Sequence, residues 1–273
     1  MNLLSQSIAI GPLGLSLGQL LIVFALGVAL ITGLLLGRRQ RLGIGDTLST
    51  LCLVALVGAR LVFVARYHQD YAGPLAMLDI RDGGFDLLGG IAAGTAYAAW
   101  RLWRQPAQRK ALGGALAAGI LTWSVTAGTL GLLAGQSRPV PETELTTLAG
   151  EAIRLPDLQA AEGQPMVVNL WATWCPPCRR EMPVFAEAQR QEGDITFVFL
   201  NQGEDPAQVR RFLDHESLAL DNLLLDAQLA FGDRVGARAM PTTLFYDADG
   251  RLLDTHFGEL SRATLNRELE RLR

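Results

Sequence analysis

Two cysteines separated by two prolines, Cys175-Pro176-Pro177-Cys178, follow the apolar run Met166-Val-Val-Asn-Leu-Trp171 and precede Arg179-Arg180-Glu181. The run reads as a buried strand, and the cysteines read as the mouth of a helix. A cysteine there faces unpaired N–H groups and the positive end of the helix dipole, so Cys175 should ionise more readily than a free thiol. Cys178 lies one turn further in, where it can resolve a mixed disulfide formed at Cys175. Pro176 and Pro177 suit a first helical turn, in which missing N–H groups cost little. The chemistry this spacing suits is thiol–disulfide exchange, with the cysteine pair itself as the redox group and no separate cofactor.

Other uses of such a pair fit less well. A structural zinc site needs two further ligands. Only Cys52, His68, His215 and His256 are on offer, and none forms a second pair at close spacing, so no metal is expected. Covalent haem attachment wants histidine after the second cysteine, where this chain has Arg179. A binding module with inert cysteines conflicts with an electropositive helix mouth. Cys52 lies in an apolar run and reads as a small packed hydrophobe.

The elements that must position this pair occupy only half of a 273-residue chain, a length that suggests two domains. Residues 1–136 carry ten Lys/Arg against five Asp/Glu, and residues 137–273 carry fourteen against twenty-two. The first half is also strongly apolar, so the halves suit different solvents. No basic face with interleaved aromatics appears, and nucleic acid is not an expected partner.

Met1 to Gly18 has no charged residue and so lacks the basic start of a cleaved secretory signal. Apolar runs at about 17–37, 48–65, 85–100 and 111–133 predict four membrane-spanning helices. The third is the shortest and has Asp86 near its start. Arg38, Arg39 and Arg41 follow the first run, and Arg101, Arg104, Arg109 and Lys110 follow the third. The positive-inside rule places these loops in the cytoplasm and everything after Leu133 outside. Tyr67, Tyr71, Trp100 and Trp103 are candidate interfacial anchors. Glycine and alanine in the runs allow close helix packing.

Residues 137–163 read as a tether, with a short strand near Ile153 to Leu155. Beyond it, strand and helix signals alternate. Strands are expected at 166–171, 195–201, 223–225, 242–246 and 252–257, and helices at 175–191, 206–216, 229–235 and 261–272. Ser261 is a candidate N-cap, and Asp247-Ala-Asp-Gly250 reads as a hairpin turn.

Trp171-Ala-Thr-Trp-Cys-Pro-Pro-Cys-Arg-Arg-Glu-Met-Pro183 and Val235-Gly-Ala-Arg-Ala-Met-Pro-Thr-Thr-Leu-Phe-Tyr246 resemble the two signatures of the thioredoxin fold. They resemble most closely its membrane-tethered TlpA, ResA and DsbE-type branch, over residues 140–273. The resemblance implies Cys175 as nucleophile, Cys178 as resolving thiol, and Pro241 in a cis peptide after Met240, whose backbone would pair with an extended substrate. A trans turn proline is the plainer alternative. Thioredoxins proper have a buried aspartate where this chain has Asn169; the ResA-like branch has a glutamate matching Glu181. That glutamate could exchange a proton with Cys178, or it could be a solvated first-turn residue favoured by the dipole. Trp171 reads as core, and Trp174 could frame the substrate groove.

The membrane half has its own resemblance. Gly58-Ala-Arg-Leu-Val-Phe-Val-Ala-Arg-Tyr67, Asp82-Gly-Gly and Leu88-Gly-Gly90 are similar to part of prolipoprotein diacylglyceryl transferase. Arg60 matches a family arginine, and an ionisable residue within a span is a functional candidate; a snorkelling residue is the alternative. Leu88 stands where that family carries a histidine, so a recruited anchor or docking surface is favoured over an active transferase.

These readings give a multi-span α-helical membrane domain (1–136), a linker (137–163) and an α/β thioredoxin-like domain (164–273) with a mixed central sheet flanked by helices. The expected activity is disulfide reduction on protein cysteines, with an oxidase or isomerase as the alternative and lipid transfer or lipid binding a remoter one. The resemblance implies a bacterial inner-membrane protein with its thiol domain in the periplasm. Its partners would be oxidised protein cysteines, such as those of apocytochromes in cytochrome c biogenesis, together with membrane lipid. The membrane half holds a single cysteine, so a reductant needs an external donor, implied to be a DsbD-like membrane protein.

Overall fold

The computed structural model describes residues 7–10, 13–38, 43–133, 139–237 and 239–273. Arg39 and Arg41, the tether up to Arg138, and Arg238 of the second signature lie outside the described residues. The chain divides into two compact units. One comprises Met1–Leu17, Arg81–Gly83 and Ala134–Arg273, and the other Gly18–Ile80 and Gly84–Leu133.

The first unit begins with strands β1 (Ser7–Ile10) and β2 (Leu13–Ser16), paired antiparallel. Its main body is a seven-stranded sheet of β3 (Glu144–Thr147), β4 (Ala152–Arg154), β5 (Met166–Trp171), β6 (Thr196–Gln202), β7 (Leu223–Asp226), β8 (Thr242–Tyr246) and β9 (Leu252–Phe257), in the order β4-β3-β7-β6-β5-β8-β9. The central strands β5, β6 and β7 run parallel; the flanking pairs are antiparallel. Every residue of β5 and β6 is buried, as expected of central strands covered on both faces.

The period-two alternation of side chains splits the core. Val167, Trp171, Phe197, Phe199 and Phe245 pack on one face with Met182, Phe185, Val209, Leu265 and Leu269. These belong to α7 (Pro176–Gln191), α8 (Pro206–Glu216) and α10 (Arg262–Leu269). Met166, Val168, Leu170, Val198 and Leu200 pack on the other face with Leu155 and Phe231, from α6 (Leu155–Glu162) and α9 (Ala230–Val235). Asn169 therefore shares the α7 face.

The stretch expected as a tether contains β3, β4 and α6. Leu145 and Leu155 are fully covered and join the second core, so these residues extend the sheet rather than link it. β3 and α6 escaped the sequence reading because two short strands around a turn and an eight-residue helix carry few apolar positions.

The second unit contains α1 (Leu17–Gly37), α2 (Ile44–Arg66), α3 (Pro74–Met77), α4 (Leu87–Arg104) and α5 (Arg109–Leu133). Among the described residues, three segments are long and apolar enough to cross a membrane: Leu20–Gly37, Ile44–Arg66 and Pro106–Gly131. The helix expected third, α4, has eighteen residues and ends on Arg101 and Arg104. Asp86 caps it, accepting from Gly89 N at 2.7 Å. Gly58 and Gly89 let α2 and α4 approach closely; a Cβ at Gly58 would sit 2.3 Å from Ala93 Cβ, and one at Gly89 2.6 Å from Val62 Cβ. Of the expected interfacial aromatics, Tyr67 is buried, its ring 4.8 Å from that of Phe63 and tilted to it by 40°, while Trp100 and Trp103 are exposed.

Candidate active site

Cys175 is the N-cap of α7, and its Sγ accepts from Cys178 N at 3.4 Å. Pro176 and Pro177 occupy the first turn. Cys175 and Cys178 form a disulfide, with both residues buried. Trp174, immediately before it, is 64% exposed. The Met240–Pro241 peptide is cis, and Met240 packs against the core cluster that contains both cysteines.

Glu181 follows Cys178 by three residues on α7 and is fully buried. The helical period accounts for this, since Cys178, Glu181, Met182 and Phe185 share one face of α7. The solvated alternative is thus excluded. Glu181 Oε1 accepts from Asn169 Nδ2 at 2.8 Å, and Oε2 accepts from Leu260 N at 3.0 Å. Asn169 Nδ2 also donates to Thr243 Oγ1 at 3.0 Å; the two residues face each other across β5 and β8. Burial pushes Glu181 from its ordinary 4.5 up to about 8, against the opposing pull of the Leu260 and Asn169 hydrogen bonds; Glu259 adds to the rise and Arg180 counters it. A carboxyl group in this state can hold a proton at neutral pH and release it slightly above.

Sequence reasoning missed Thr243 and Leu260. Thr243 could have been suspected from its place in the second signature. Leu260 acts through its backbone, 79 positions from Glu181, and leaves no residue-type signal.

Arg60 is the candidate of the membrane half. It belongs to the second unit, where Nε and Nη2 donate to Met77 O at 3.2 and 3.0 Å, Nη2 to Asp79 O at 2.6 Å, and Nη1 to Gly84 O at 2.8 Å. Phe63, Tyr71 and Phe85 lie about its guanidinium. Arg60 therefore orders the loop between α2 and α4. Leu88, at the position of the transferase histidine, is 75% exposed. Among the described residues no three His, Cys, Asp or Glu side chains gather as a metal site would require.

Residues 134–269 match the Redoxin family. The thioredoxin-like protein YneN of Bacillus subtilis is 32% identical over 145 residues, covering 52% of this chain and 81% of that protein. The chain belongs to the thioredoxin-like thiol–disulfide oxidoreductases. Within that family, the thiol-disulfide oxidoreductase ResA of Halalkalibacterium halodurans is 31% identical over 128 residues, 46% of this chain and 70% of that one. A secreted Mycobacterium tuberculosis disulfide oxidoreductase of known structure is 26% identical, with a TM-score of 0.42, covering 48% of this chain and 96% of its own. In the membrane half, residues 6–130 match prolipoprotein diacylglyceryl transferase.

Proposed function

We propose that this oxidoreductase is a membrane-tethered disulfide reductase acting on protein cysteines outside the cytoplasm. In the reduced protein, the Cys175 thiolate attacks a substrate disulfide and expels one substrate sulfur. Cys178 then gives up its proton to Glu181 and attacks Cys175 Sγ, releasing the second substrate sulfur and closing the Cys175–Cys178 disulfide. Two electrons pass to the substrate. Recharging runs the other way: a donor thiolate attacks Cys175, and Cys178 leaves and takes back the proton.

The observation that carries this reading is the buried, proton-holding Glu181 on the Cys178 face of α7. In the disulfide form it is set to protonate the leaving Cys178, which favours loading with electrons. Trp174 and Met240 would flank the substrate, and the Met240 backbone beside Pro241 would pair with it. Pro176 and Pro177 shape the turn, and Asn169 holds Glu181. Substrates such as apocytochrome cysteines and a DsbD-like electron donor fit this role. The only cysteine of the membrane half is Cys52, and one thiol cannot relay a pair of electrons as a disulfide.

The membrane half serves as an anchor, with its three long apolar segments across the bacterial inner membrane, lipid around them, and the thiol domain on the periplasmic side. The segments resembling the transferase have structural employment: Gly58 and Gly89 in helix packing, and Arg60 in holding a loop.

The reduction potential of the Cys175–Cys178 pair tests the direction. A value near thioredoxin's, about −270 mV, is expected. A value near about −120 mV, that of a strong oxidant, would overturn it.

A further inference from the structure

A second buried carboxylate underlies the site. Glu204 follows β6 through Gly203, whose φ of +72° turns the chain. The parallel pairing of β5 and β6 brings Trp171 opposite Asn201, so the ends of the two strands emerge side by side. Glu204 thereby reaches the turn that leads into Cys175. Its Oε2 accepts from Thr173 N at 2.6 Å and from Asn201 Nδ2 at 2.7 Å. Its Oε1 accepts from Thr173 Oγ1 at 2.5 Å and from Gln208 Nε2 at 2.7 Å. The residue is only 8% exposed, and no Lys or Arg among the described residues pairs with it.

Burying a charged group without a counter-ion is costly, and four donors are what make it tolerable. Simple turn fixation would need less, because a serine or asparagine could accept from Thr173 N. The charge itself therefore needs an account. Thr173 lies two residues before Cys175, which sets the carboxylate on the order of 10 Å from Cys175.

We propose that Glu204 is a positioning residue of this site, fixing the Thr173 turn and setting a negative charge against the Cys175 thiolate, so that the pair is biased toward the disulfide. The bias rests on the reductase reading, since a thiolate disfavoured in the reduced protein gives up electrons more readily. The helix mouth favours that thiolate, and Glu204 opposes it. At 10 Å and an effective dielectric constant of 20, the interaction amounts to about a tenfold change in the thiol–disulfide equilibrium at a pH where Cys175 is ionised in the reduced protein.

The test is made on the full chain in detergent, equilibrated with dithiothreitol buffers. Free thiols are trapped, and the Cys175–Cys178 peptide is quantified apart from Cys52. Glu204→Gln keeps the shape and removes the charge. Gln208→Lys, at an exposed position on α8, keeps the glutamate and sets an ammonium against it. Both should raise the potential by about 30 mV, the equivalent of tenfold. An unchanged potential in Gln208→Lys overturns the assignment, and that variant decides alone if Glu204→Gln does not fold. The parent's absolute potential tests the reductase reading; the differences from the parent test Glu204, whatever that value is.

Discussion

Replacing Glu181 by glutamine should remove a pH dependence that the buried carboxyl imposes on reduction of the disulfide. With Glu181 at about 8, it is mostly protonated at pH 7 and mostly ionised at pH 9, a fall of about tenfold in the acid form. The rate at which a small thiol reduces Cys175–Cys178, divided by the thiolate concentration, should fall by the same factor across that range. In Glu181→Gln the corrected rate should be flat and lower at pH 7, by roughly a hundredfold if proton delivery has its usual weight. Stopped-flow tryptophan fluorescence reads the reaction, since Trp171 and Trp174 flank the segment that enters the disulfide. Stability gives a second, independent readout. The folded protein holds a proton that the unfolded chain releases near 4.5, so stability falls as pH rises from about 4.5 through about 8. The loss is at most about 5 kcal/mol, and Glu181→Gln should lack that slope. A parent rate flat from pH 6 to 9.5, or the same break near 8 in Glu181→Gln, would refute the proton role.

Two further changes test the supports of the two units. Asn169→Ala removes one donor to Glu181, and a hydrogen bond to a charged group is worth about 1.5–3 kcal/mol; the break in the rate profile should move up by about one pH unit or more, and an unmoved break would show that Asn169 does not hold the ionised form. Gly58→Leu forces a side chain into a space that Ala93 already fills. It should destabilise the membrane unit by about 1–3 kcal/mol, seen as a lower thermal midpoint in detergent, with the disulfide exchange rate unchanged.

Much of the site was legible because its residues lie in two short signatures. The cysteine spacing, the helix mouth and the strand before it are local, and local sequence sets them. The burial of Glu181 was also within reach, since the α7 stripe through Cys178, Met182 and Phe185 runs through it. The membrane half was less legible at its ends and in its motifs. Arg60 looked like a catalytic candidate, yet its guanidinium donates to the backbone carbonyls of Met77, Asp79 and Gly84. Tyr67 looked like an interfacial anchor, yet its side chain is buried against Phe63. An aromatic or ionisable residue near a helix end has the same sequence signature whichever way it points.

The sequence by itself determined the redox pair, the order of strands and helices around it, and the split into an apolar and a charged half. Periodicity, capping and spacing act over a few residues, so they can be read along the chain. Only the tertiary structure decided what surrounds the pair. It set Asn169 against Thr243 by strand register, brought the Leu260 amide to Glu181 from 79 positions away, and carried Glu204 beneath Thr173. It also made two outer strands of the sheet, β3 and β4, and the helix α6 from residues expected as a tether. Those contacts exist because buried polar groups must find partners wherever the packed fold supplies them, and distance along the chain does not limit where that is.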